Sequence, residues 1–203
     1  MKIGVIVEGM GEVNAFKKLI PKIKTPHVLL HTPLRADMQP RATVHVIARQ
    51  AEAVVKRFFS QNVDMILILI DSEGTSCPNT FPLLLKNAFV ALYGKPNFEV
   101  VLKDRAIENW LIADIDALKK SPARFKVTSA FANQVVPNKA DAVGQPCELL
   151  SSIVHKGGYL KGSDPETIMK HQDPLKVATN SRSFRKFLRV VGCPTYSGQS
   201  RSP

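Results

Sequence analysis

Hydrophobic and polar positions along the first 120 residues alternate between two periods. Ile3 to Val7 is a short, β-branched apolar run bounded by Glu8-Gly9, which predicts a buried strand. From Gly11-Glu12 onward, Val13, Phe16, Leu19 and Ile20 fall on one face of a helix that Pro21 ends. Val28 to His31 predicts a weaker strand. After a loop at 37–41, residues 42–59 place Val44, Ile47, Ala48, Ala51, Val55 and Phe58 at helical spacing. Met65 to Ile70 is entirely apolar and stops at Asp71, the pattern of a strand buried on both faces. A helix over Phe81 to Tyr93 closed by Gly94, a strand over Phe98 to Leu102 and a helix over Ile107 to Leu118 follow. The order β-α-β-α-β-α-β-α predicts an α/β fold, an open and mostly parallel sheet with helices on both faces.

After Lys120 the pattern changes. Ser121-Pro122, Pro137 and Pro146 punctuate shorter helical patterns at Glu148 to Val154, Pro165 to His171 and Ser183 to Val190. The expected organisation is an α/β catalytic domain over 1–120 and a small basic helical extension over 121–203. Gly192 to Pro203 lacks periodicity and is expected to be a flexible tail, or one ordered only on packing.

Composition narrows the class. Of 203 residues, 44% are hydrophobic and 22% charged, which excludes collagen-like, disulfide-scaffold and fully disordered chains. Lys and Arg number 28 against 17 Asp and Glu, a net charge of +11. Residues 121–203 hold 12 of the basic and 5 of the acidic side chains, so most of the excess lies in the extension. A field of that sign favours a polyanionic partner, nucleic acid first and an anionic membrane surface second. No apolar stretch reaches the roughly 18 residues of a membrane span. Met1-Lys2-Ile3-Gly4 leads into a strand rather than a signal peptide, so a cytoplasmic protein is expected. Cys77, Cys147 and Cys193 are scattered and read as packing residues in a reducing compartment. The five His residues lack metal-ligand spacing.

In open parallel sheets, functional groups gather at the carboxyl ends of strands. Glu8 closes the first strand, and Asp71-Ser72-Glu73 closes the run from Met65 to Ile70. With neighbouring strands about 5 Å apart, Glu8, Asp71 and Glu73 can converge. Convergent carboxylates repel unless a hard cation neutralises them, which points to Mg²⁺ or Mn²⁺. The alternative is that these acids are solvated turn residues. Glu12, in the first turn of a helix, is read as a partner of the helix dipole, with the orientation of a second metal as the alternative, and Asp114 and Asp116 as surface acids. Gly9-Met10-Gly11 begins a dinucleotide fingerprint but meets Asn14 where the third glycine belongs, and no Gly-Lys-Ser or Gly-Lys-Thr phosphate loop occurs. In the extension, 155–161 combines Lys156 and Lys161 with two glycines and Tyr159. The stretch 183–189 sets Arg185, Lys186 and Arg189 opposite Phe184, Phe187 and Leu188. Both segments are candidate nucleic-acid contacts, with a plain solvated face as the alternative.

An apolar strand ending in Glu8-Gly9, a Glu at 12 opening a helix, and an apolar strand ending in Asp71-x-Glu73 together resemble the TOPRIM domain over about residues 1–105. That domain is shared by topoisomerases, bacterial primases and the overcoming-lysogenization-defect nucleases. The likeness is greatest to short bacterial TOPRIM-like proteins of a domain-of-unknown-function family associated with phage defence and mobile elements. Their Glu-x-Trp-Leu-like signature corresponds to Glu108-Asn109-Trp110-Leu111 here. The resemblance implies that Glu8 is the general acid or base, that Asp71 and Glu73 hold the metal, and that Glu108 is a second-metal ligand. Glu73 departs from the Asp usual at that position. The activity implied is a Mg²⁺- or Mn²⁺-dependent nuclease acting on DNA or RNA, with a protein such as an ATPase as a further partner. The alternatives are a non-catalytic nucleic-acid or partner-binding module of a defence system and an enzyme acting on a small phosphorylated metabolite.

Overall fold

The computed structural model describes residues 1–72, 79–94 and 97–198. Glu73 and Cys77, both singled out in the sequence, lie outside the described residues. Five parallel strands form one sheet: β1 (Lys2–Val7), β2 (Val28–Leu29), β3 (Leu34–Arg35), β4 (Met65–Asp71) and β5 (Phe98–Lys103). The helices that connect or cover them are α1 (Met10–Leu19), α2 (Val44–Gln50), α3 (Glu52–Ser60), α4 (Phe81–Tyr93), α5 (Ile107–Ile112) and α6 (Ile115–Lys119). Beyond these come α7 (Ser129–Val135), α8 (Pro146–Ser152), α9 (Asp164–Met169), α10 (Pro174–Asn180), α11 (Arg182–Val190) and α12 (Pro194–Ser197). The parallel α/β architecture expected from the pattern is therefore present.

Strand β1 pairs β2 at its start, Ile3 against Leu29, and β3 at its end, Val7 against Arg35, so β2 and β3 share one outer position. The chain then crosses back, and β4 pairs the opposite side of β1, Ile6 against Ile68, with β5 beyond it. The progression of strands reverses between β1 and β4. In open parallel sheets the crevice at such a reversal, outside the carboxyl ends, is where ligands bind.

Alternation along the strands builds two cores. Ile3, Val5, Val7, Leu67, Leu69 and Val101 face α1, α5 and the helices of the carboxyl-terminal part. Ile6, Ile66, Ile68, Ile70, Val100 and Leu102 face α2, α3 and α4. Residues after 120, expected as an extension, thus complete one face of the sheet: Phe131, Leu150, Ile168, Phe184 and Phe187 belong to the same core as β1 and α1. Trp110 is the hub of this layer. Its fully buried ring stacks on Phe187 and meets Phe184 and Phe16 edge-on, while Nε1 donates to Ser183 Oγ at 2.6 Å.

Several boundaries differ from those expected. The helical periodicity of 42–59 is broken at Ala51, whose ψ of −2° separates α2 from α3. The helix expected over Ile107 to Leu118 breaks at Asp114. This residue is buried rather than a surface acid, because its carboxylate accepts the N–H groups of Asp116, Ala117 and Asp173 and so starts α6. Asp116 is exposed and pairs with Lys176. Cys193 is buried and α12 follows it, so packed structure continues past Gly192. Gly11 serves packing: a Cβ there would lie 2.2 Å from the Lys161 carbonyl, so α1 and the 155–163 segment approach backbone to backbone.

Candidate functional site

Three strand ends and the first turn of α1 converge at the carboxyl edge of the sheet. Glu8 follows the last residue of β1, and Gly9 in extended conformation (φ −118°, ψ 154°) turns the chain into α1. That turn places Glu12 at the third helical position, where its Oε2 accepts the Glu8 N–H at 3.0 Å. Asp71, the last residue of β4, donates its own N–H to Glu8 Oε2 at 2.6 Å. One carboxylate oxygen from each of Glu8, Glu12 and Asp71 lies within 4.8 Å of the others.

Lys103, at the end of β5 and in register with Asp71, points into the middle of this group. Its side chain is 0% exposed, and Nζ lies 3.1 Å from Glu8 Oε2 and 2.9 Å from Asp71 Oδ1, with a still closer contact to Glu12 Oε1. The Asp71 contact is an ion pair without hydrogen-bond geometry, and Asp71 Oδ1 is a buried oxygen that accepts no hydrogen bond from the described residues. Sequence reasoning missed Lys103 altogether and preferred a helix-dipole role for Glu12 over one in orienting a second metal. The signal for Lys103 is its phase: it falls two residues after the inward-facing Val101 and directly across from Asp71.

Burial and the neighbouring charges shift Glu8, Glu12 and Lys103. Burial pushes the Glu8 carboxyl up to about 7; the Lys103 ammonium opposes this, while Asp71 and Glu12 add to it. Burial also raises Glu12, again against Lys103. For Lys103 itself burial favours the neutral amine, but Asp71, Glu12 and Glu8 together hold the group well above its ordinary range. A raised carboxyl keeps its proton in the native state when the unfolded chain has lost it. The stability this contributes is full below the unfolded pKa of 4.5 and is lost as pH rises through about 7. Urea unfolding in EDTA should therefore give a stability that falls between these limits. A flat or rising profile would mean that Glu8 is ionised throughout and Lys103 dominates.

The other expected site residues are placed elsewhere. Glu108 is buried on α5 and is not one of the three carboxylates that meet. It faces Tyr159, whose hydroxyl is pushed up first by burial and then by the Glu108 charge. Asn109 and Trp110 of the same signature bind the second layer: Asn109 Nδ2 donates to the Ala140 and Val143 carbonyls. Lys156 and Lys161 are exposed on the segment that packs at Gly11, and Arg124 holds that segment by donating to the Lys156 and Gly158 carbonyls and to Asp164. Arg185 spends its guanidinium on the Ala178 and Thr179 carbonyls and Asn138 Oδ1. Lys186 lies beside Arg189, and burial followed by that neighbour's charge lowers its pKa. Among the described residues, no helix is long and apolar enough to cross a membrane.

No curated protein and no solved structure matches the chain. A family model described as "Domain of unknown function (DUF4276)" matches residues 7–191, which takes in both the carboxylate cluster and the helical layer behind it. The chain therefore belongs to the DUF4276 family.

Proposed function

We propose that the chain is a divalent-metal-dependent phosphodiesterase acting on nucleic acid, in a site similar to that of TOPRIM domains. The observation that carries this reading is the meeting of Glu8, Glu12 and Asp71 at the crevice where the strand order reverses. The donor set fits a hard cation: it is all oxygen, and Asp71 Oδ1 is buried and accepts no hydrogen bond from the described residues. Side chains of Glu8 and Asp71 remain 14% and 21% exposed, so they are reachable from the crevice. Glu8 and Asp71 would hold Mg²⁺ or Mn²⁺, together with Glu73 as the resemblance implies. The ion, when bound, supplies charge stabilisation at a phosphoryl oxygen and a more acidic water. Glu12 fixes the turn through the Glu8 N–H, and Lys103 restrains all three carboxylates. From that position Glu8 ligates the ion or moves a proton at the attacking or leaving oxygen. The same resemblance supports a cytoplasmic role in phage defence or mobile-element biology with a protein partner such as an ATPase.

A second reading, a non-catalytic binding module, is favoured by Lys103, because an internal ammonium already neutralises part of the cluster. Labelled single- and double-stranded DNA and RNA incubated in Mg²⁺, Mn²⁺ or EDTA separate the two. Metal-dependent cleavage is expected, with Asp71→Asn lowering it by at least about tenfold, the scale on which loss even of a ligand's hydrogen-bond partner is felt. Wild-type protein that cleaves nothing in either metal leaves the binding-module reading in its place.

A further inference from the structure

The phosphodiesterase reading needs a cation that can touch a phosphate, and Lys103 is not free to do so: it is fully buried and engaged by three carboxylates. The strand ends supply two others. Read across the carboxyl edge, the sheet presents Arg35 at the end of β3, Glu8 after β1, Asp71 at the end of β4 and, just past Lys103 of β5, Arg105. Three strand spacings of about 4.8 Å separate the β3 and β5 positions, so the arginines flank the acids at a backbone distance of about 14 Å.

Arg35 is exposed, and it is held back on its own side of the cluster: Nε donates to the Glu8 carbonyl at 3.3 Å and its guanidinium pairs with Asp37 at 3.1 Å. Arg105 is exposed and has a φ of 59°, a left-handed conformation that few residues other than glycine adopt. Ser72 fixes it there. The Ser72 N–H donates to the Lys103 carbonyl at 2.9 Å, and Ser72 Oγ accepts the Arg105 N–H at 2.7 Å. Glycine would take this conformation without strain, so what an arginine adds is its side chain, two residues beyond Lys103, the strand partner of the metal-ligand candidate Asp71. Among the described residues its guanidinium forms no salt bridge; the adjacent, exposed Asp104 feels its charge together with those of Asp141 and Arg182.

We propose that Arg35 and Arg105 hold different phosphates of one polynucleotide strand laid across the strand ends, with the carboxylates between them. This inference rests on the phosphodiesterase reading and narrows its substrate to a phosphodiester chain, as opposed to a mononucleotide or phosphorylated metabolite. Guanidinium groups suit it because they bind phosphate oxygens through two donors at once.

The test is fluorescence-anisotropy titration of a labelled oligothymidylate onto the full chain in EDTA, over a range of salt, with thymidine monophosphate as the small-molecule probe. Arg105→Gly and Arg35→Gln are each expected to weaken oligonucleotide binding roughly tenfold, the worth of one charge-assisted contact. Each should also lower the salt slope by about 0.7, and the effects should add. Arg105→Gly should keep or raise the melting temperature, which separates lost contact from lost fold. Thymidine monophosphate should bind far more weakly than the oligonucleotide. An Arg105→Gly protein with unchanged affinity and slope overturns the proposal and leaves the cleavage reading to its own assay. Equal weakening of oligonucleotide and monophosphate, from similar starting affinities, also overturns it and points to a small-molecule site. A wild-type protein that binds neither probe removes the proposal and the nucleic-acid reading together. Loss of binding in both variants alongside a wild type that cleaves nothing supports the strand-binding edge and sinks only the catalysis.

Discussion

Lys103→Met should unfold at much lower urea than the wild type at pH 8, with a loss of about 3–5 kcal/mol, the usual result of leaving buried charge without its partner. The substitution nearly preserves side-chain length while removing the only ammonium within reach of Glu8, Glu12 and Asp71 among the described residues. Three acids would then repel one another in a site where burial already pushes Glu8 up to about 7. Glu8 and Glu12, already raised by burial, respond by holding their protons to higher pH, so the stability those protons add is present at low pH and lost as pH rises. The deficit against the wild type should accordingly shrink at pH 5 and widen at pH 8. Paired urea titrations at the two values measure this, and equal stabilities at pH 8 would mean that the ammonium is not the counterion of the cluster.

Trp110→Ala should cost about 3–5 kcal/mol, as large aromatic truncations in a well-packed core do. Phe16 of α1 and Phe184 and Phe187 of α11 all rest on this one ring. Trp110→Phe keeps most of the apolar contact but gives up the Nε1 bond to Ser183, whose Oγ retains Asp141 as a partner, so it should cost about 1–2 kcal/mol. Because α1 also carries Glu12, the alanine variant should loosen the carboxylate site as well as the helical layer. The chain has a single Trp, so wild-type unfolding can be followed by its emission, while the variants need far-ultraviolet circular dichroism. A loss below about 1 kcal/mol for Trp110→Ala would show that the two layers do not depend on this contact.

How much of this was legible beforehand depends on whether the cause is local. The runs Ile3 to Val7 and Met65 to Ile70 specify buried strands by themselves, and Glu8 and Asp71 follow at their ends. Lys103 was illegible because its meaning comes from residues 91 and 95 positions away, and a lysine after a strand ordinarily signals only the approach of solvent. Strand β3 is two residues long, too short for any periodicity to register. The second layer was underestimated for a related reason: helices of six to nine residues such as α9, α10 and α11 gain little from propensity alone and are held by the core they share. Some of its signals were present, including Asp173 before Pro174 and Thr128 before Ser129, both of which cap helices.

The outer position shared by β2 and β3 has a consequence for solubility. A long exposed edge is a template on which another chain can add a strand. Here that edge consists of two pairs of residues interrupted at 30–33, where Pro33 has no N–H to offer. Met65 to Ile70, an uncharged and wholly apolar run of the kind that stacks with its own copies, sits inside the sheet with both of its sides occupied by β1 and β5. Protection of that stretch is thus a property of the folded state alone. Conditions that populate the opened chain expose a segment able to stack with its own copies, and precipitation will track the unfolded fraction more closely than any change on the native surface.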